Sequence, residues 1–96
     1  MSAIVLIVED ELLLRMNAVQ IIEEAGLEVV EASNAHDAIS ILETRDDIRV
    51  VFTDIQMPGS MDGLALAWAV RNRWPPIAII ITSGKVRPAA HEMRRM

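Results

Sequence analysis

The chain contains no cysteine and a single lysine, Lys85. Without thiols there is neither a disulfide framework nor a zinc site built on cysteine. Aromatic side chains are equally scarce, confined to Phe52, Trp68 and Trp74, so any core must come from Ile, Val, Leu, Ala and Met. Basic residues number 9 against 14 acids, for a formal net charge of -5. That balance lacks the basic footprint of a nucleic-acid binder, and no direct contact with nucleic acid is expected. No apolar run approaches the ~20 residues of a membrane span. The longest early run, Ala3 to Val8, is followed at once by acids. A basic start and a small-residue cleavage site are also missing, so no secretory signal is read, and the expected location is the cytoplasm.

What is present fits one globular domain over residues 1–96, at 52% hydrophobic and 24% charged. Ala3 to Val8 is rich in β-branched residues, the pattern of a strand buried on both faces of a parallel sheet. Glu11 to Ala25 has helical spacing, with Leu12, Leu13, Met16, Val19, Gln20 and Glu23 on one side, and Gly26 is a stop signal. Glu28 to Glu31 predicts a short strand. Ser33-Asn34 is a candidate N-cap for a helix through about Glu43, with Ala35, Ala38, Ile39 and Leu42 facing inward. Arg49 to Thr53 predicts the third strand, and Gln56 to Gly63 a loop. Leu64 to Arg73 predicts a third helix, with Leu64, Trp68, Ala65 and Ala69 inward, closed by Pro75-Pro76. Ile77 to Ile81 reads as a fourth buried strand. Beyond the loop from Thr82 to Arg87, Pro88 can open a helix over Ala89 to Arg95.

Strands that alternate with helices argue for a layered α/β sheet. Right-handed crossovers then bring all strand C-termini to one edge, where open α/β folds place their ligands. Three strand-like runs end in polar groups: Glu9-Asp10, Asp54 and Thr82-Ser83. Carboxylates held close together repel one another unless a cation intervenes. Mg²⁺ prefers a few carboxylate oxygens and keeps several waters, and Glu9, Asp10 and Asp54 supply such a set. A carboxylate beside such a metal can act as nucleophile and form an aspartyl phosphate. That chemistry needs mostly positioning and charge neutralisation. Thr82 could donate a hydrogen bond to the phosphoryl group.

These residues resemble the receiver domain of bacterial two-component response regulators. The resemblance rests on Val5-Leu-Ile-Val-Glu-Asp-Glu11, Val51-Phe-Thr-Asp-Ile-Gln-Met-Pro-Gly59, Met61-Asp-Gly63 and Ile79-Ile-Ile-Thr-Ser-Gly84, in order, and covers about residues 3 to 88. It implies a flavodoxin-like (CheY-like) doubly wound parallel sheet of order 2-1-3-4. It further implies that Asp54 is the phosphoacceptor, loaded from a sensor histidine kinase or phosphotransfer protein. Asp10 would bind Mg²⁺ directly, Glu9 through water, and Gln56 by its main-chain carbonyl, with Thr82 as the switch hydroxyl. Receivers continue into a fifth strand that ends in a lysine, and then a fifth helix. Only fourteen residues follow Thr82. A crossover with its helix needs at least ~10–12 residues and a strand adds ~5, so those elements are expected to be missing. Lys85 then becomes a weak substitute for the lysine. The lost charge-assisted bond to phosphate would be worth ~1.5–3 kcal/mol. Without a fifth strand, Ile77 to Ile81 would form an exposed edge and promote self-association.

Plainer readings compete. Glu9-Asp10-Glu11 could be helix-capping acids, and Asp54 a turn residue. Caps explain neither Thr82-Ser83 nor the Met57-Pro58-Gly59 turn. Asp62-Gly63 reads as a cap or turn, His36 and His91 as surface residues, and Met57 and Met61 as loop packing. Trp68 reads as helix core, Trp74 as a cover for the helix end, and Arg94-Arg95 as a solvated helix end. The alternative function is a phosphorylation-independent interaction or dimerisation module. A third, a phosphate-handling hydrolase, usually wants an acid two residues after the nucleophile, where this chain has Gln56. At most, slow autodephosphorylation is expected.

Overall fold

The computed structural model describes residues 3–57, 59 and 61–82. The expected helix from Ala89 to Arg95, with Pro88, His91 and Arg94-Arg95, lies outside the described residues, as do Ser83 and Lys85. Seven elements run in order: β1 (Ile4–Val8), α1 (Leu12–Glu24), β2 (Glu28–Ala32), α2 (Ala35–Thr44), β3 (Ile48–Asp54), α3 (Gly63–Arg73) and β4 (Ala78–Thr82). Among the described residues all pairings are parallel and the sheet order is β2-β1-β3-β4, the order expected from the resemblance.

β1 holds the centre. All five of its residues are buried, and Leu6, Ile7 and Val8 have no exposed surface. Each such side chain contributes about 1.5–3 kcal/mol of hydrophobic stabilisation. The core continues through Ala35, Ala38 and Leu42 of α2, Val51 of β3, and Leu66 and Val70 of α3.

Helix ends follow local chemistry. Asn34 caps α2 by accepting the Asp37 N–H at 2.8 Å. Asp62 caps α3 by accepting the Ala65 N–H at 2.9 Å. Gly26 ends α1 at φ 91°, a conformation that favours glycine. Trp74 packs over the end of α3, half-buried, with the Arg73 guanidinium 4.4 Å from its ring centroid. His36 lies on the surface, and Met57 and Met61 pack against the core, as expected.

Two helices are rotated from the expected phase. In α1, Leu12, Leu13 and Met16 point to solvent, with Leu13 74% exposed. The half-buried row is Leu14, Arg15, Ala18, Val19 and Ile22. The start of α1 is apolar on every side, so hydrophobic period alone does not set its rotation. Arg15 does, because its guanidinium bonds to the Glu9 carbonyl at the end of β1. In α3, Gly63, Leu66 and Val70 face inward, while Leu64 is exposed and Trp68, expected in the core, is 67% exposed. Gly63 sets this phase by packing directly on the backbone after β3. The third correction concerns β4. Read as buried, it exposes 49% of Ile80 and 40% of Ile81, and among the described residues it pairs only with β3.

Candidate functional site

The ends of β1 and β3 lie side by side, because Val8 pairs with Thr53 in the parallel ladder. One residue further on, the chains deliver Glu9 and Asp54. Glu9 is buried, Asp10 half-buried, and Asp54 only 1% exposed. Carboxylate oxygens of Glu9, Asp10 and Asp54 all lie within 4.8 Å of one another. Such a compact, all-oxygen set suits a hard divalent cation that keeps part of its water shell. The donor chemistry therefore fits Mg²⁺.

Glu11 occupies the N-cap position of α1 but makes no side-chain capping bond. Instead the Glu11 N–H donates to Glu9 Oε2 at 2.9 Å. The Glu9 N–H donates to the Ala32 carbonyl of β2 at 3.1 Å. The acidic turn is thus tied back onto the sheet.

The backbone after Asp54 is equally constrained. The Thr53 hydroxyl donates to the Asp54 carbonyl at 3.0 Å. The Ile55 N–H donates to the Thr82 carbonyl at 3.0 Å, and the Gly63 N–H to the Ile55 carbonyl at 2.8 Å. A Cβ at Gly63 would lie 2.7 Å from the Asp54 carbonyl carbon and 2.8 Å from Ile55 Cα, so only glycine fits. Its need is for space, since positive φ occurs at Gly26 and Gly59 among the described glycines.

Thr82 pairs directly with Asp54 across the β3–β4 ladder and is half-buried. Gln56 is exposed, two residues past Asp54. Beside the acids, Glu9, Phe52, Thr82 and α1 residues including Ala18 and Ile22 line a mainly apolar cleft of about 190 Å³. Sequence reasoning missed two residues that shape this edge, Gly63 and Arg15. Gly63 was read as part of a cap or turn and of a resemblance motif, not for the space it leaves. Arg15 had one visible signal: it is the only cation in an otherwise apolar start of α1.

A parallel, doubly wound sheet with clustered acids at its C-terminal edge defines the receiver class. A family profile described as response regulator receiver domain matches residues 5–94. The chain belongs to that family. It is similar to sensor kinase CckA of Brucella abortus, 37% identical over 92% of this chain and 9% of the relative. It is also similar to response regulator protein FleR of Pseudomonas aeruginosa, 35% identical over 99% of this chain and 20% of the relative. The chain therefore spans a small part of the curated relatives it matches. A crystal structure of a receiver domain protein from Clostridium thermocellum superimposes with a TM-score of 0.78 at 28% identity, covering 97% of this chain and 75% of the other. No described helix is long and apolar enough to cross a membrane.

Proposed function

We propose that this domain is the phosphoacceptor of a two-component phosphorelay and that Asp54 carries the phosphoryl group. The observation that carries this reading is the convergence of Glu9, Asp10 and Asp54 oxygens within 4.8 Å at the mouth of the sheet. The donor is a phosphohistidine on a sensor histidine kinase or phosphotransfer protein. An Asp54 carboxylate oxygen attacks phosphorus; the O–P bond forms as the P–N bond breaks, and the imidazole leaves with a proton. Glu9, Asp10, Asp54 and the Gln56 main-chain carbonyl would hold Mg²⁺. When bound, that ion neutralises charge on the phosphoryl oxygens. The Thr82 hydroxyl donates to the phosphoryl group, and Lys85 is the candidate cation, a weak one, for the same group. Loss of the phosphoryl group to water is slow, and no other turnover is proposed.

Support for a protein donor comes from Leu12, Leu13 and Met16. They expose an apolar ridge immediately after Glu9-Asp10, and exposed apolar clusters mark interaction surfaces. We place the domain in the cytoplasm. Acetyl phosphate with Mg²⁺ tests the chemistry without any kinase. Wild type is expected to gain one phosphoryl group by mass spectrometry, and Asp54→Ala none. Failure to see Asp54-dependent labelling overturns the reading.

A second reading is favoured by the exposed Ile80 and Ile81 on β4, the edge strand among the described residues. An exposed apolar edge is a template for pairing. In that reading the domain associates with itself through β4 without phosphorylation. Association that survives Asp54→Ala and rises with concentration in sedimentation supports it. A monomer at high concentration counts against it.

A further inference from the structure

The acidic turn of Glu9, Asp10 and Glu11 has regular structure on both sides and none of its own. Mutual repulsion drives its carboxylates apart, so something must hold the turn in place for them to meet Asp54. Arg15, one turn into α1, is placed to do so. Its side chain is 18% exposed. Its Nη1 donates to the Glu9 carbonyl at 2.9 Å, and its Nε donates to Glu31 Oε1 on β2 at 3.0 Å. One planar guanidinium therefore joins the end of β1, the first turns of α1 and the end of β2. The Glu9 N–H is already anchored to Ala32 and its carboxylate to the Glu11 N–H. The Arg15 bond adds the remaining backbone group of Glu9, so the residue before Asp10 is held at its N–H, its carbonyl and its side chain.

We propose that Arg15 is a positioning residue for the metal site: it fixes the Glu9–Asp10 turn so that both carboxylates meet Asp54. The inference rests on the reading that these acids hold Mg²⁺. Outer residues that orient metal ligands commonly change metal affinity about 10–100-fold when removed. The role belongs to arginine. A lysine ammonium is a point donor on a flexible stem and does not present two N–H groups in one rigid plane.

Charge and positioning predict opposite results here. If Arg15 acted only as a nearby cation, it would repel Mg²⁺; Arg15→Gln would then tighten binding, and Arg15→Lys would leave it unchanged. If Arg15 positions the turn, both substitutions weaken binding, glutamine more than lysine. The experiment is calorimetric titration of the whole chain with Mg²⁺, well below the melting temperature of each variant. Arg15→Gln is expected to weaken binding about tenfold, with Arg15→Lys showing a smaller loss in the same direction. Unchanged affinity in Arg15→Lys, or tighter binding in Arg15→Gln, overturns the proposal. A purely structural role would lower the melting temperature and leave the dissociation constant alone, which overturns it equally. If Arg15→Gln does not fold, the lysine variant decides. A wild-type chain that binds no Mg²⁺ and accepts no phosphoryl group overturns the function proposed above. A wild type that does both, with unaltered Arg15→Lys, overturns only the role of Arg15.

Discussion

β1 and β3 on one side, and β4 on the other, start from the same kind of sequence: a short run of aliphatic residues that ends in a polar one. Their fates differ. Leu6, Val8, Val51, Thr53 and Asp54 are buried, whereas β4 leaves Ile80 and Ile81 nearly half exposed to solvent. The difference lies in position. β1 has β2 and β3 as neighbours, β3 has β1 and β4, and β4 has one partner among the described residues. Glu9, at the end of a central strand, is held from several directions, and Asp54 is buried beside it. Thr82 ends a strand that has one partner among the described residues, and its carbonyl accepts the Ile55 N–H.

Truncation at the centre should cost most. Leu6→Ala is expected to destabilise the domain by about 2–5 kcal/mol, a large share of the stability of a small domain, read from the midpoint of a urea melt. Gly63→Ala should follow, at about 1–3 kcal/mol, because the added methyl meets backbone that cannot yield as a side chain would. It should also slow acetyl phosphate labelling of Asp54 more than Val70→Ala does, since Val70 packs in the same helix away from the acids. Equal labelling by these two variants at matched stability would remove Gly63 from the site. At the edge, Ile80→Thr is expected to shift folding stability by no more than about 0.5 kcal/mol while reducing any self-association in sedimentation. A loss comparable to that of Leu6→Ala would dissolve the contrast between centre and edge.

The smallest effect is electrostatic. Arg45 donates to both carboxylate oxygens of Asp47, at 2.9 and 2.8 Å. This hydrogen bonding, chiefly, holds the Asp47 carboxyl below its ordinary value of 3.8. A carboxyl depressed on folding stabilises the fold above its unfolded value, and that contribution is lost as pH falls through the folded one. Both side chains are well exposed, 39% for Arg45 and 46% for Asp47, so solvent screens the pair. Asp47→Asn should lower the melting temperature slightly at neutral pH and not at all once the wild-type carboxyl is protonated. A difference that grows on acidification would contradict the sign.

Much of this fold was legible along the chain. The β-branched runs, the Asn34 cap, the Gly26 stop and the inward row Ala35, Ala38, Leu42 are local features, readable from neighbours a few residues apart. The acids were legible because a parallel α/β sheet sends every strand end to one edge. The rotations of α1 and α3 were not legible. Leu12 to Leu14 and Leu64 to Val70 offer apolar residues on every face, so periodicity has no preferred direction there. Contacts distant in sequence decide instead: Arg15 with Glu9 and Glu31, and Gly63 with the backbone of Asp54 and Ile55.

By itself the sequence determined the alternation of strands and helices, the convergence of the strand ends on one edge and the identity of the acids that could hold a cation, while the strand order came with the family resemblance. The alternation and the convergence follow from local propensity and from the handedness of crossovers, which leave few arrangements to choose from. Only the tertiary structure decided which apolar residues are core and which are surface, and how the acids are held. Those depend on which groups meet across the fold: a guanidinium that reaches a carbonyl six residues back and a carboxylate on the next strand, and a glycine that leaves room for the backbone of Asp54.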